Sequence, residues 1–117
     1  ISATMFSYFH MNNNGASWFS TVHLFFFGVF TAVYALKRGN IWGPCGFHFA
    51  WNFIMGNVYG FHVSGFDSES SLMYFTTSNR TFITGGEFGI ESSVISLIGY
   101  IIVAGIAFIM IKSSKKN

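Results

Sequence analysis

Charge is scarce in this chain, and cysteine and proline each occur once. Charged residues make up 9% of the 117 residues, against about 25% in a soluble domain. A chain so poor in charge cannot cover its own surface with water-friendly side chains, which makes a bilayer its natural solvent. The single cysteine, Cys45, excludes an intrachain disulfide and reads as a small buried residue. The net charge of +2 comes from few groups. No basic patch interleaved with exposed aromatics appears, which excludes nucleic acid as a partner. The start lacks a basic n-region and a cleavage-site pattern, so it is not a signal peptide. It begins with Ile1 inside an apolar pattern, and the simplest expectation is a chain missing its N-terminal part.

Apolar and aromatic residues fill the space: 51% of the chain is hydrophobic, 21% aromatic, and Phe alone occurs 16 times. Four apolar segments stand out. Ile1 to Met11 is too short to span. Ser17 to Leu36 has a length of roughly 30 Å as a helix, the thickness of the hydrocarbon core. Ile41 to Gly60 is similar but contains His48, Asn52 and Asn57. Ser92 to Ile111 is the most aliphatic. The expected architecture is all-α: one domain over residues 1–117, a multi-helix transmembrane bundle of three full spans plus a truncated N-terminal helix. Gly28, Gly56, Gly99 and Gly105 inside the spans are expected to permit close helix approach.

The connections carry further signals. Asn12-Asn13-Asn14-Gly15 reads as a turn, Gly39 as a helix C-cap, and Pro44 as a residue of a first helical turn. The stretch from Phe61 to Glu91 is a long polar connection that contains all four acidic residues. Lys37 and Arg38 end the second segment, and Lys112, Lys115 and Lys116 end the last. By the positive-inside rule both ends face the cytoplasm, so the expected protein is multi-pass with a cytoplasmic C-terminus.

Polar residues inside membrane spans are costly and need partners. Phe6-x-x-x-His10 and His48-x-x-x-Asn52 each place two residues four apart, on one helix face. Two helices that each present a histidine could build one polar pocket. Counting along the spans nevertheless puts His10 and His48 at depths that differ by on the order of 15 Å. His23 is a further pocket candidate, and His62 reads as an interfacial loop residue. Gly85-Gly86-x-x-Gly89 lacks the Lys and the preceding strand of a phosphate loop. Phe25-Phe26-Phe27 reads as packing against lipid or helices. Asn79-Arg80-Thr81 matches a glycosylation sequon, relevant only in a secretory compartment.

The run Ile41-Trp42-Gly43-Pro44-Cys45-Gly46-Phe47-His48-Phe49-Ala50-Trp51-Asn52-Phe53 resembles the His-x-x-x-Asn motif of the CPBP intramembrane protease family, which includes CAAX prenyl endopeptidases and Abi-like proteins. The start, Ile1 to His10, resembles the family's Phe-x-x-x-His motif. Gly60-Phe61-His62-Val63-Ser64-Gly65 and Thr84-Gly85-Gly86-Glu87-Phe88-Gly89 resemble the loop before its last helix. The resemblance covers the C-terminal part of the family domain and implies a membrane-embedded endopeptidase that hydrolyses a membrane-tethered peptide or prenylated protein with an activated water. It implies that His10 positions or activates the water, and that His48 and Asn52 bind the oxyanion. Such roles are chemically sound, since amide hydrolysis needs a base near the water and donors aimed at the developing charge.

The family's Glu-Glu-x-x-x-Arg motif does not occur in these residues, and by the resemblance its carboxylate is the general base. Glu69, Glu87 and Glu91 fall in or beside the long connection, which charge places on the far side. The chain alone is therefore expected not to hydrolyse peptides. A divalent metal such as Zn²⁺ on His10 and His48 stays open: neutral His is a good ligand, whereas Asn is poor and a His-Glu-x-x-His zincin pattern is absent. Two other functional readings are a non-catalytic protein of the same fold, with an immunity or scaffold role, and a haem protein with histidines on facing helices.

Overall fold

The computed structural model describes residues 1–75 and 80–114. Asn79 of the sequon and the terminal Lys115 and Lys116 lie outside the described residues. The chain folds as helices α1 (Ser2–Phe9), α2 (Trp18–Arg38) and α3 (Trp42–Asn52), a π-helical segment (Phe53–Val58), helix α4 (Thr81–Thr84), two 3₁₀ turns (Gly86–Phe88 and Ile90–Ser92) and helix α5 (Val94–Ser114). No strand occurs among the described residues; one isolated bridge pairs Val63 with Phe66.

Local chemistry sets the boundaries. Ser17 and Ser20 form a reciprocal capping box: Ser20 N–H donates to Ser17 Oγ at 3.1 Å and Ser17 N–H to Ser20 Oγ at 2.8 Å. This satisfies donors that the first turn of α2 would otherwise orphan. Lys37 and Arg38 lie in the last turn, and Gly39 closes the helix at φ 69°, a conformation that favours glycine. In α3 the first backbone bond runs from Cys45 to Ile41 at 3.0 Å. Pro44 thus precedes the hydrogen-bonded ladder, and its missing N–H costs nothing there.

One helix among the described residues, α2, is long and apolar enough to cross a membrane. By this criterion, applied to the described residues, the other two expected spans are not shown. The third segment is helical over 42–58 but divides into α3 and the π-helical segment. The described apolar stretch of α5 is Val94–Val103.

Helix α1 lies against α2 through Gly28, where an added Cβ would sit 2.9 Å from the Cα of Ala3. Close approach is thus borne out at Gly28. Gly99 and Gly105 meet nothing within 4 Å among the described residues. The buried apolar core is small: Ala3, Leu24, Phe27 and Phe88. Large side chains such as Trp18, Phe26, Leu36, Trp42 and Phe49 are exposed. So large an uncovered apolar surface is at home against lipid. No residue of α3 is buried, which explains why Cys45 is exposed and not a buried core residue as expected.

The long connection does not trail away from the bundle. Leu72 N–H and Met73 N–H donate to the carbonyls of Asn57 and Val58, both at 2.9 Å. Gly65 N–H donates to the Phe88 carbonyl at 2.9 Å. Glycine is needed at these crossings: a Cβ on Gly65 would meet the Asn14 carbonyl oxygen at 2.2 Å, and one on Gly89 the His62 carbonyl oxygen at 2.0 Å. The Asn turn, the residues around Ser64 and the glycine loop are therefore locked together.

Candidate active site

Helix α1 ends where His10 begins. The His10 imidazole turns back, and its Nδ1 lies 2.7 Å from the Phe6 carbonyl oxygen. That carbonyl is among the last of the helix, which lack amide partners within it. Since a carbonyl can only accept, Nδ1 carries the proton. Neutral His10 then keeps its lone pair on Nε2, free to take a proton from water. The Phe6 ring stacks beside the same imidazole with centroids 4.5 Å apart. The Phe-x-x-x-His spacing thus supplies a backbone acceptor and an aromatic wall from one residue.

Helix α3 presents His48 and Asn52 one turn apart, as their spacing requires. Asn52 Nδ2 lies 3.3 Å from His48 Nε2, while Asn52 Oδ1 is buried without a partner. Phe27 of α2 packs against the His48 ring at 5.5 Å and Phe6 at 5.8 Å. These aromatic contacts hold the two histidine-bearing elements to a common centre.

His10, His48 and Asn52 line a single cavity of about 600 Å³. The depth difference expected from counting is absent. Residues after His10 form a turn whose Asn13 Nδ2 donates to the Ser64 carbonyl at 2.8 Å, and the π-helical segment with its following loop folds over the same space. Asn13, Gly56, Asn57, Ser64, Asp67 and Glu69 complete much of the wall.

The other candidates lie elsewhere. His23 is not among the cavity-lining residues. It is fully buried, 4.3 Å from the Phe19 ring, and faces the Glu91 backbone without either ring nitrogen reaching hydrogen-bond geometry. His62 pairs with Asp67 at 2.8 Å on the loop. Of the phenylalanine run, Phe25 and Phe26 are exposed and Phe27 is buried.

Glu91 is the residue that sequence reasoning set aside. It is buried, and Ser64 Oγ donates to its carboxylate. Trp51 Nε1 lies beside it but outside hydrogen-bond geometry. Burial pushes the Glu91 carboxyl up from its ordinary range; the Ser64 hydrogen bonds, and His10 when its ring is protonated, pull in the other direction. Sequence spacing gave no signal for this, because the contact joins residues 27 apart through an irregular loop.

Among the described residues no group of three or more His, Cys, Asp or Glu side chains could hold a metal ion. His10 and His48 supply two nitrogens, one short of the three protein ligands usual for a catalytic zinc. The donor set as it stands does not fit a zinc site.

The described residues thus form an all-helical protein in which two imidazoles and a carboxamide line one cavity, with one helix long and apolar enough to cross a membrane. Residues 1–54 match the family model described as type II CAAX prenyl endopeptidase, Rce1-like. The match bears out the CPBP resemblance; it includes α1, α2 and α3, and with them His10, His48 and Asn52. No curated protein and no solved structure matches the chain.

Proposed function

We propose that this chain carries the histidine–asparagine part of an intramembrane endopeptidase site of the CAAX-processing type. The observation that supports this best is the shared cavity of His10, His48 and Asn52, with the His10 Nδ1 proton tied to the Phe6 carbonyl. Water held at His10 Nε2 would be oriented toward the scissile carbonyl; it would pass its proton to the carboxylate of the Glu-Glu-x-x-x-Arg helix as its oxygen attacks, and that carboxyl group would give the proton to the leaving amine as the C–N bond breaks. The Asn52 amide and the His48 imidazole would meet the oxyanion. Asn can donate without titrating, which suits a water-poor cavity.

The substrate would be a peptide held at a bilayer, such as a prenylated C-terminus, with both clusters of basic residues on the cytoplasmic side. Asp67 and Glu69 at the cavity are exposed and have no Arg at the family spacing, so they do not replace the Glu-Glu-x-x-x-Arg carboxylate. The test is proteolysis of a farnesylated peptide in proteoliposomes. The chain is supplied with a helix bearing Glu-Glu-x-x-x-Arg, and a Gln-substituted helix serves as control. Cleavage with the glutamate helix alone supports the reading. No cleavage with either leaves the non-catalytic alternative, an immunity or scaffold protein of this fold.

A further inference from the structure

Ser64 sits at φ 50°, a backbone conformation that a non-glycine residue rarely adopts and that costs free energy unless the surroundings over-determine it. It is buried, and it lines the cavity. Three contacts fix it: Val63 and Phe66 pair across it, Asn13 Nδ2 donates to its carbonyl at 2.8 Å, and its hydroxyl donates to Glu91. Asn13 N–H in turn donates to the His10 carbonyl at 3.2 Å. Glu91 is not among the residues that line the cavity, whereas Ser64, which donates to its carboxyl group, is. A continuous run of hydrogen bonds therefore leads from a buried carboxyl group to the backbone of the cavity histidine.

We infer that Glu91 is a positioning residue, which clamps the strained Ser64 turn and through Asn13 fixes His10 at the cavity. Glu91 acts here as an acceptor of the Ser64 hydroxyl and takes no part in proton transfer to substrate. The inference rests on the reading of His10 as a site residue. Its test does not use proteolysis, so it can fail or stand apart from the endopeptidase reading.

The experiment measures the rate of diethyl pyrocarbonate modification at each histidine by mass spectrometry, in detergent micelles. Half-exposed His62 is the internal reference, and fully buried His23 reports on the fold. Glu91→Ala and Asn13→Ala are each expected to raise the His10 rate relative to His62 by about threefold to tenfold, the range set by one net hydrogen bond. Glu91→Gln keeps an acceptor oxygen and is expected to stay near the native rate. Because both residues act through one chain of contacts, the Glu91→Ala/Asn13→Ala double variant should equal the larger single effect instead of their product. An unchanged His10 rate in Glu91→Ala, a Gln variant as altered as Ala, or multiplying effects would each overturn the proposal. If Glu91→Ala exposes His23 and so loses the fold, Asn13→Ala and Ser64→Ala decide: a native His10 rate in both refutes it.

Discussion

The Phe6 ring meets the His48 imidazole nearly edge-on, with centroids 5.8 Å apart and planes at 79°. Phe6 thus touches both histidines of the cavity, one on its own helix and one across the bundle. If the ring sets their spacing, Phe6→Leu should lower cleavage while leaving the carbonyl that binds His10 Nδ1 in place. The expected loss is smaller than that of His10→Ala, which would remove the group that holds the attacking water for proton transfer and should cost about 10²–10⁴-fold. Equal losses in the two variants, in the proteoliposome assay, would assign the ring a role beyond spacing.

Asn52→Ala should lower kcat by about 10²–10³-fold, the usual effect of deleting one oxyanion donor. Its KM should change little, because the donor acts on charge that develops during attack. A variant that loses binding and keeps turnover would place Asn52 in substrate recognition.

Gly28→Val should destabilise the fold by about 1–3 kcal/mol through overpacking, since an added Cβ already lies 2.9 Å from Ala3 Cα. Thermal melting in detergent checks this. Gly99→Ala, whose Cβ meets nothing within 4 Å among the described residues, serves as the paired control and should melt at or above the native temperature.

Stability should depend on pH through Glu91. Burial raises its carboxyl above the ordinary carboxylate range, so the folded state holds this proton more tightly than the unfolded chain. The contribution is fully present below about pH 4.5 and is lost as pH rises through the higher folded value. Glu91→Gln should flatten that part of the melting profile. His10 and Tyr100, the ionisable groups that act on Glu91 or feel its charge, remain in both proteins, so the difference between their profiles isolates the carboxyl. Parallel profiles from pH 4 to 8 would mean that Glu91 titrates normally.

The helices and their caps were legible because their determinants are local. Gly39 ends α2 as a left-handed glycine does in any context, and Ser17 stands at the start of the apolar segment that becomes the helix. His48 and Asn52 were legible for the same reason, through spacing on one helix. The meeting of His10 with His48 was not, because it depends on Gly28 letting α1 approach and on Phe27 filling the space between helices. Glu91 was obscured by a topological argument. Its segment was assigned to the far side by charge, whereas the chain folds the glycine loop back until Phe88 and Glu91 are buried. Cys45 shows the converse error, since a residue type that prefers the interior lies on a helix with no buried face.

The π-helical segment after Asn52 carries a wider turn, seen in the bond from Tyr59 N–H to the Ile54 carbonyl at 3.0 Å. One additional residue per wide turn rotates everything downstream by about 100° relative to a regular helix. Stripes drawn at 3.6-residue intervals from His48 therefore lose phase beyond position 52. A helical wheel over 42–58 would assign lipid contact and cavity contact to the wrong side chains at its C-terminal end.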